Sequence, residues 1–303
     1  MHAVPHYPFL DPEVPMTMIP GPTVRRRRLG RELRRLRAGA GKTIEEAARW
    51  AGIQPPTISK IENGRQAIRP TNVRLLLQLY GVEAAQADTL IKLASEANER
   101  GWWTGYRDIV PAWFRTFVDL EADASEINSY CSELVPEQLQ TAEYTEAVAL
   151  AVHPSTTQAE LAQLVAFRHE RQRRLAGNTP ARLHFVLDEA VLRRLVGGAD
   201  AFRQQLDHLA EMAQLPHVTL QVLPFAAGAH AALGQAFTML RLPCDETGLD
   251  VVYLEHNQDS QYLEHPADIE RYQTIFTRLT TAALSSDGTS KLLVQARDET
   301  GAI

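Results

Sequence analysis

Cysteine is scarce in this chain: two in 303 residues, Cys131 and Cys244, too far apart for a CxxC pair. Neither a disulfide framework nor a cysteine-rich zinc site can be built from them, so both are read as core residues. No stretch approaches the roughly 18 consecutive apolar residues of a membrane helix, and the N-terminus lacks the basic-then-apolar pattern of a secretory signal. A cytoplasmic protein without membrane contact is expected. Catalytic signatures are missing as well, with no HExxH, GxSxG, P-loop or GxGxxG. We therefore expect no enzyme, no metal and no cofactor. Apolar residues, by contrast, make up 45% of the chain, ample for two packed domains.

Charge is present but unevenly spread. Residues 24–81 hold fourteen Lys/Arg against four acids, a balance of +10, which leaves −16 for the rest of a chain whose net charge is −6. A small basic unit joined to a large acidic one implies that the first meets a polyanion while the second is repelled by it.

Residues 1–23 carry six prolines and no apolar period, and read as a disordered arm. From 24 to 98 the pattern is helical. Leu29, Leu33 and Leu36 form a stripe between arginines. Thr43 with Glu46 makes a capping box for a second helix, whose inward face would be Ala47, Ala48 and Trp50 and which stops at Gly52. Gln54 is the polar cap of a third helix, tolerant of Pro55 and Pro56 because its first turn has no intrahelical use for their N–H groups. Gly64 ends it, Pro70 opens a fourth, and a fifth follows Gly81. Five short helices, two of them joined across a glycine, have the form in which the second helix enters a major groove. The outward face of that helix is Gln54, Pro55, Pro56, Thr57, Ser59, Lys60 and Asn63.

The stretch KTIEEAARWAGIQPPTISKIENGRQAIRP resembles the helix-turn-helix of the Xre/Cro phage-repressor family, ISKIENG being its most specific part. The resemblance implies binding to double-stranded DNA, as a homodimer on an inverted repeat. The family often has a phosphate-clamping glutamine where Ile44 stands here, and polar base-reading residues where Pro55 and Pro56 stand. Thr57 and Lys60 remain as base contacts, Thr43 at the helix start is a further DNA candidate, and Arg65 with Arg25, Arg26, Arg27 and Arg28 is expected on phosphates.

Residues 99–108, with Trp102 and Trp103, read as a junction, residues 109–285 as a mixed α/β domain and 286–303 as a tail. Helices are expected at 111–123, 142–152, 157–175, 188–196, 200–214 and 267–284, and strands at 183–187, 218–223, 235–241 and 250–255, while 126–135 fits either period. The fold class is thus an N-terminal all-α five-helix domain plus a C-terminal mixed α/β domain. LVPEQLQTAEYTEAV, LDEAVLRRLVGG, VLPFAAGAH and VVYLEH resemble the large C-terminal domain, of unassigned biochemical function, that follows the helix-turn-helix in many actinobacterial regulators. That resemblance implies an antitoxin-like regulator with a small acidic partner protein. Glu137 stands where the family usually has glycine. A pocket for a small-molecule effector needs only a concave site with a few polar groups, and Phe225, His230, Tyr253 and Glu255 are its candidates.

Overall fold

A computed structural model describes residues 24–97, 102–176, 180–242, 250–256 and 259–300. The expected arm at 1–23 and Cys244 lie outside the described residues. Two compact units divide between Gly105 and Tyr106.

The N-terminal unit has five helices: α1 Val24–Gly39, α2 Ile44–Ala51, α3 Pro55–Glu62, α4 Pro70–Leu79 and α5 Ala84–Ala97. Local chemistry sets their ends. Thr43 Oγ1 accepts from Glu46 N at 3.1 Å while Thr43 N donates to Glu46 Oε2 at 2.8 Å, a closed capping box. Gly52 terminates α2 at φ +67°, a left-handed conformation that glycine adopts without a Cβ penalty. Gln54 stands at the N-cap of α3 but makes no capping bond with its side chain. Pro55 and Pro56 have no N–H to satisfy, and Thr57 N already donates to the Gln54 carbonyl at 2.9 Å. Leu29, Leu33, Ala47, Ala48, Ile58, Ile61, Val73, Leu76, Leu77, Leu90 and Ala94 fill the core.

Trp50 is not part of that inward face. It is 54% exposed, and its indole N–H donates to the Leu75 carbonyl at 2.9 Å. Ala51 takes the buried position instead, because helices this closely packed admit only small side chains where they touch. Between α1 and α3 the fit is tighter still. A Cβ at Gly30 would lie 2.8 Å from the Glu62 carbonyl oxygen and closer yet to that of Ile61.

The C-terminal unit contains α6 Arg115–Asp123, β1 Glu126–Cys131, α7 Ala142–Val152, α8 Gln158–Leu175, β2 Arg182–Asp188, α9 Gly198–Met212, β3 Val218–Leu223, β4 Phe237–Arg241, β5 Val251–His256, β6 Asp259–Leu263, α10 Pro266–Ala282 and α11 Ser286–Thr300. The strands form one six-stranded sheet in the order β3-β2-β1-β4-β5-β6. β1, β2 and β3 are parallel, and β4, β5 and β6 add antiparallel pairs. One face packs Tyr130, Val186, Leu223, Phe237, Met239, Val252 and Leu254 against Tyr272, Phe276 and Leu279 of α10. On the other, Tyr253 meets the Phe117 ring of α6 at 4.3 Å between centroids.

Three expectations change here. The stretch 188–196 forms only a short 3-10 turn, Glu189–Leu192, opened by Asp188 Oδ1 accepting from Ala190 N at 2.9 Å. Gly197 and Gly198 at positive φ then redirect the chain into α9. Residues 126–131 resolve as the central strand β1, and the polar 259–263 as the edge strand β6. The expected tail is helix α11, which buries Thr289, Leu293, Ala296 and Thr300 and packs against α9 and β3. Leu284 N donates to the Val222 carbonyl at 2.8 Å and Val222 N donates to Thr289 Oγ1 at 3.1 Å, so this segment takes up the outward N–H and carbonyl of Val222 on the edge strand β3.

Candidate functional site

The candidate nucleic-acid interface is built on α2, the Gly52 turn and α3. Ile58 and Ile61 face the core, which turns Thr57 and Lys60, one helical turn apart, outward on a shared surface. Gln54, Pro56, Lys60 and Asn63 are exposed, and Pro55, Thr57 and Ser59 are half-buried. Asn63 is partly committed, its amide donating to the Ser59 carbonyl at 2.8 Å. Arg65 is exposed just beyond the helix.

The arginine run does not act as a block. Arg25 and Arg28 are exposed and Arg26 is half-buried, but Arg27 is only 3% exposed. Four successive residues cannot share one face of a helix, and at Arg27 the α1 backbone comes against Gly64, where a Cβ would lie 2.9 Å from Arg27 Cα. Arg27 therefore belongs to the packing of the unit rather than to an outward phosphate-binding surface.

Thr43 is likewise occupied, because its hydroxyl and N–H both serve the capping box. The Glu46 carboxylate thus sits on the first turn of α2. The backbone hydrogen bond from Thr43 holds its pKa below the ordinary carboxylate value. A helix N-terminus that could have received a phosphate already carries an anion of its own.

Position-holding residues were less legible. Arg37 Nε and Nη2 donate to Glu62 Oε1 and Oε2 at 2.6 and 2.9 Å, and Arg37 Nη1 donates to the Lys42 carbonyl at 2.8 Å. This two-pronged ion pair ties the end of α1 to the end of α3 and to the loop entering α2, so it sets the angle of the helix that carries Lys60. Its only trace in the sequence is an acid inside the apolar period of ISKIENG.

In the C-terminal unit the sheet separates the four effector candidates. Tyr253 and Glu255 lie on the α6 side, where the Tyr253 hydroxyl donates to Glu255 Oε2 at 3.2 Å. His230 is on the α10 side, its Nε2 3.3 Å from the Tyr130 hydroxyl, which in turn lies 3.5 Å from Asp188 Oδ2. The Phe225 ring is 59% exposed, and its backbone N–H donates to Glu189 Oε2 at 2.9 Å.

A polar network that the spacing does not disclose stands beside Glu255. Arg171 Nε and Nη2 donate to Glu121 at 2.7 and 2.8 Å, and Arg171 Nη1 donates to Glu137. Arg168 donates to Glu137 at 2.9 Å and also to Gln140 and Thr145. Rings of Phe114, Phe117 and Phe167 surround the Arg171 guanidinium at 5.1, 5.8 and 5.6 Å. Burial works to raise the Glu137 carboxyl, but Arg168 and Arg171 outweigh it and hold its pKa low. Glu137, at the position where glycine was expected from the resemblance, is a full member of this network.

Compared with known families, residues 28–90 match the model described as a helix-turn-helix domain, and residues 114–295 match that of a domain of unknown function, DUF5753. The second match runs into α11. No curated protein and no solved structure matches the chain.

Proposed function

This chain belongs to the family defined by the domain of unknown function DUF5753, and on that footing, with a helix-turn-helix domain preceding it in sequence, we propose that it is a sequence-specific transcriptional regulator of the Xre/Cro type. It acts as a homodimer on an inverted repeat, and its C-terminal unit controls it by binding a small-molecule effector. The observation that carries the reading is α3: a short helix seated on the core by Ile58 and Ile61, held in angle by Arg37–Glu62, with Thr57 and Lys60 outward in a unit of strongly positive charge.

Selection of bound fragments from native genomic DNA at near-physiological salt tests it. Half-sites about one helical turn apart are expected. Enrichment without a shared motif would overturn the sequence-specific reading and favour a module whose main target is a protein partner.

Two sets of substitutions separate readout from attraction. Thr57→Ala with Lys60→Ala is expected to narrow the gap between operator and random DNA by about 1–3 kcal/mol for each base no longer read. Arg25→Ala, Arg26→Ala and Arg28→Ala together should weaken all DNA alike and make the log–log salt slope shallower by about 0.9 for each phosphate no longer neutralised. Equal, sequence-independent losses in both sets would remove Thr57 and Lys60 from base readout.

A further inference from the structure

We propose that a cavity along the outer edge of β3 binds a short peptide segment in extended form, through main-chain hydrogen bonds to Leu220. The cavity measures about 270 Å³ and is bounded by Val218 and Leu220 of β3, by Gln214 just past α9, and by Ser286, Asp287 and Ser290 on the first turns of α11. That is slightly less than the roughly 300–1,000 Å³ of most small-ligand sites, so its occupant is small. Gln214, Ser286 and Asp287 are exposed and form the rim, while Val218 and Leu220 are buried and form the wall.

The phase of the ladder decides which backbone groups face this space. β3 is outermost in the sheet and pairs with β2 alone. Leu183 N donates to the His217 carbonyl at 2.8 Å, which starts a parallel ladder in which His217, Thr219, Gln221 and Leu223 spend their groups on β2. Val218, Leu220 and Val222 therefore turn theirs outward. Val218 N donates to the Leu215 carbonyl at 3.0 Å, and both groups of Val222 are taken by Leu284 and Thr289. Leu220 differs. Neither its N–H nor its C=O has a hydrogen-bond partner among the described residues, although the residue is buried. Buried backbone groups are paired in more than about nine cases in ten, so this pair calls for a partner inside the cavity that it lines.

A donor and an acceptor from one strand residue, both facing the same way, match one residue of an extended peptide laid antiparallel. Its C=O accepts from Leu220 N–H and its own N–H donates to the Leu220 C=O. The length of the occupant is limited at both ends. The turn at Leu215 closes one side and Leu284 the other, so a strand cannot continue past the single pairing position. A second copy adding its own β3 across a two-fold at Leu220 would need the Val222 groups that Leu284 and Thr289 already hold. Charge does not call for an ion either: the carboxylate at the rim, Asp287, accepts from Lys291 Nζ at 2.6 Å. The other polar side chains around the space are the hydroxyls of Ser286 and Ser290 and the amide of Gln214. Neutral main chain with a small side chain is the chemistry that fits.

As the effector site this rests on the regulatory reading above, but the binding itself is measured without DNA. The full chain, labelled with nitrogen-15, is titrated with N-acetyl-L-alanine methylamide and, separately, with the analogue methylated on the alanine nitrogen, which cannot donate to the Leu220 C=O. Saturable binding is expected, with a downfield movement of the Leu220 amide proton as it gains an acceptor. The methylated analogue should bind about tenfold more weakly, since it leaves a buried carbonyl unpaired. Ser290→Leu, which fills the cavity, should abolish the movement. No movement of the Leu220 amide up to the solubility limit, equal binding of the methylated analogue, or native-like binding by Ser290→Leu with an unchanged thermal transition overturns the site. Operator affinity at saturating peptide then separates the two ideas. Binding with no change in DNA affinity supports the site and overturns its role as effector pocket, whereas specific DNA binding with no response at Leu220 overturns the site alone.

Discussion

Arg171→Leu is expected to destabilise the C-terminal unit by about 3–5 kcal/mol, the usual result of removing one partner from a buried ion pair. Glu121, 2% exposed, would be left, among the described residues, with the Gln138 amide at 2.6 Å. Urea denaturation followed by circular dichroism measures the change. The double substitution Arg171→Leu with Glu121→Leu should recover much of the loss, because two apolar side chains among Phe114, Phe117 and Phe167 leave no charge unpaired. Acid should narrow the gap between the native chain and Arg171→Leu. Arg168 and Arg171 hold the Glu137 carboxyl below its ordinary 4.5, so the native chain owes part of its stability to ionised Glu137 above that value and loses it as pH falls through the depressed one. The variant has less of that contribution to lose. A change below about 1 kcal/mol for Arg171→Leu would mean the network contributes little to stability.

Gly30→Ala should have the largest effect in the N-terminal unit. The added methyl would meet the carbonyl oxygens of Ile61 and Glu62, rigid backbone at the end of α3. Overpacking of this kind costs about 3 kcal/mol, a large share of the stability of so small a unit. Helices α1 and α3 must part, and the Arg37–Glu62 pair that fixes the angle of α3 must part with them. Peptide-resolved hydrogen exchange should show weaker protection across 24–39 and 55–62, together with a fall in operator affinity. Unchanged exchange there would show that the helices yield without cost.

The N-terminal unit was legible because its signals are local. A capping box spans four residues, Gly52 and Gly64 end helices where a left-handed residue is needed, and Pro70 opens one. Failures came where a residue's partner is far away in sequence. β1 was ambiguous because Glu126, Asn128 and Ser129 interrupt its apolar pattern, and Ser129 finds its hydroxyl partner at Thr238 across the sheet. Arg27 looked like its neighbours until its helix face was fixed by packing. Glu121, Glu137, Arg168 and Arg171 come from three separate stretches, and no spacing rule connects them. Tyr253 and Glu255 stay together because they are two apart on one strand, whereas His230 and Phe225, in the stretch between β3 and β4, fall elsewhere. α11 was hidden behind the Ser- and Gly-rich start of a segment whose apolar residues are few.

The bonds that Val222 makes to Leu284 and Thr289 have a consequence for how the sheet behaves toward other chains. An outermost strand with unspent N–H and C=O groups is a template on which any extended segment can polymerise. Here Leu284 and Thr289 occupy that template at Val222. A chain shortened before Leu284 would leave both groups of Val222 open, and its shortcoming would show first as aggregation during expression, before any loss of recognition could be measured.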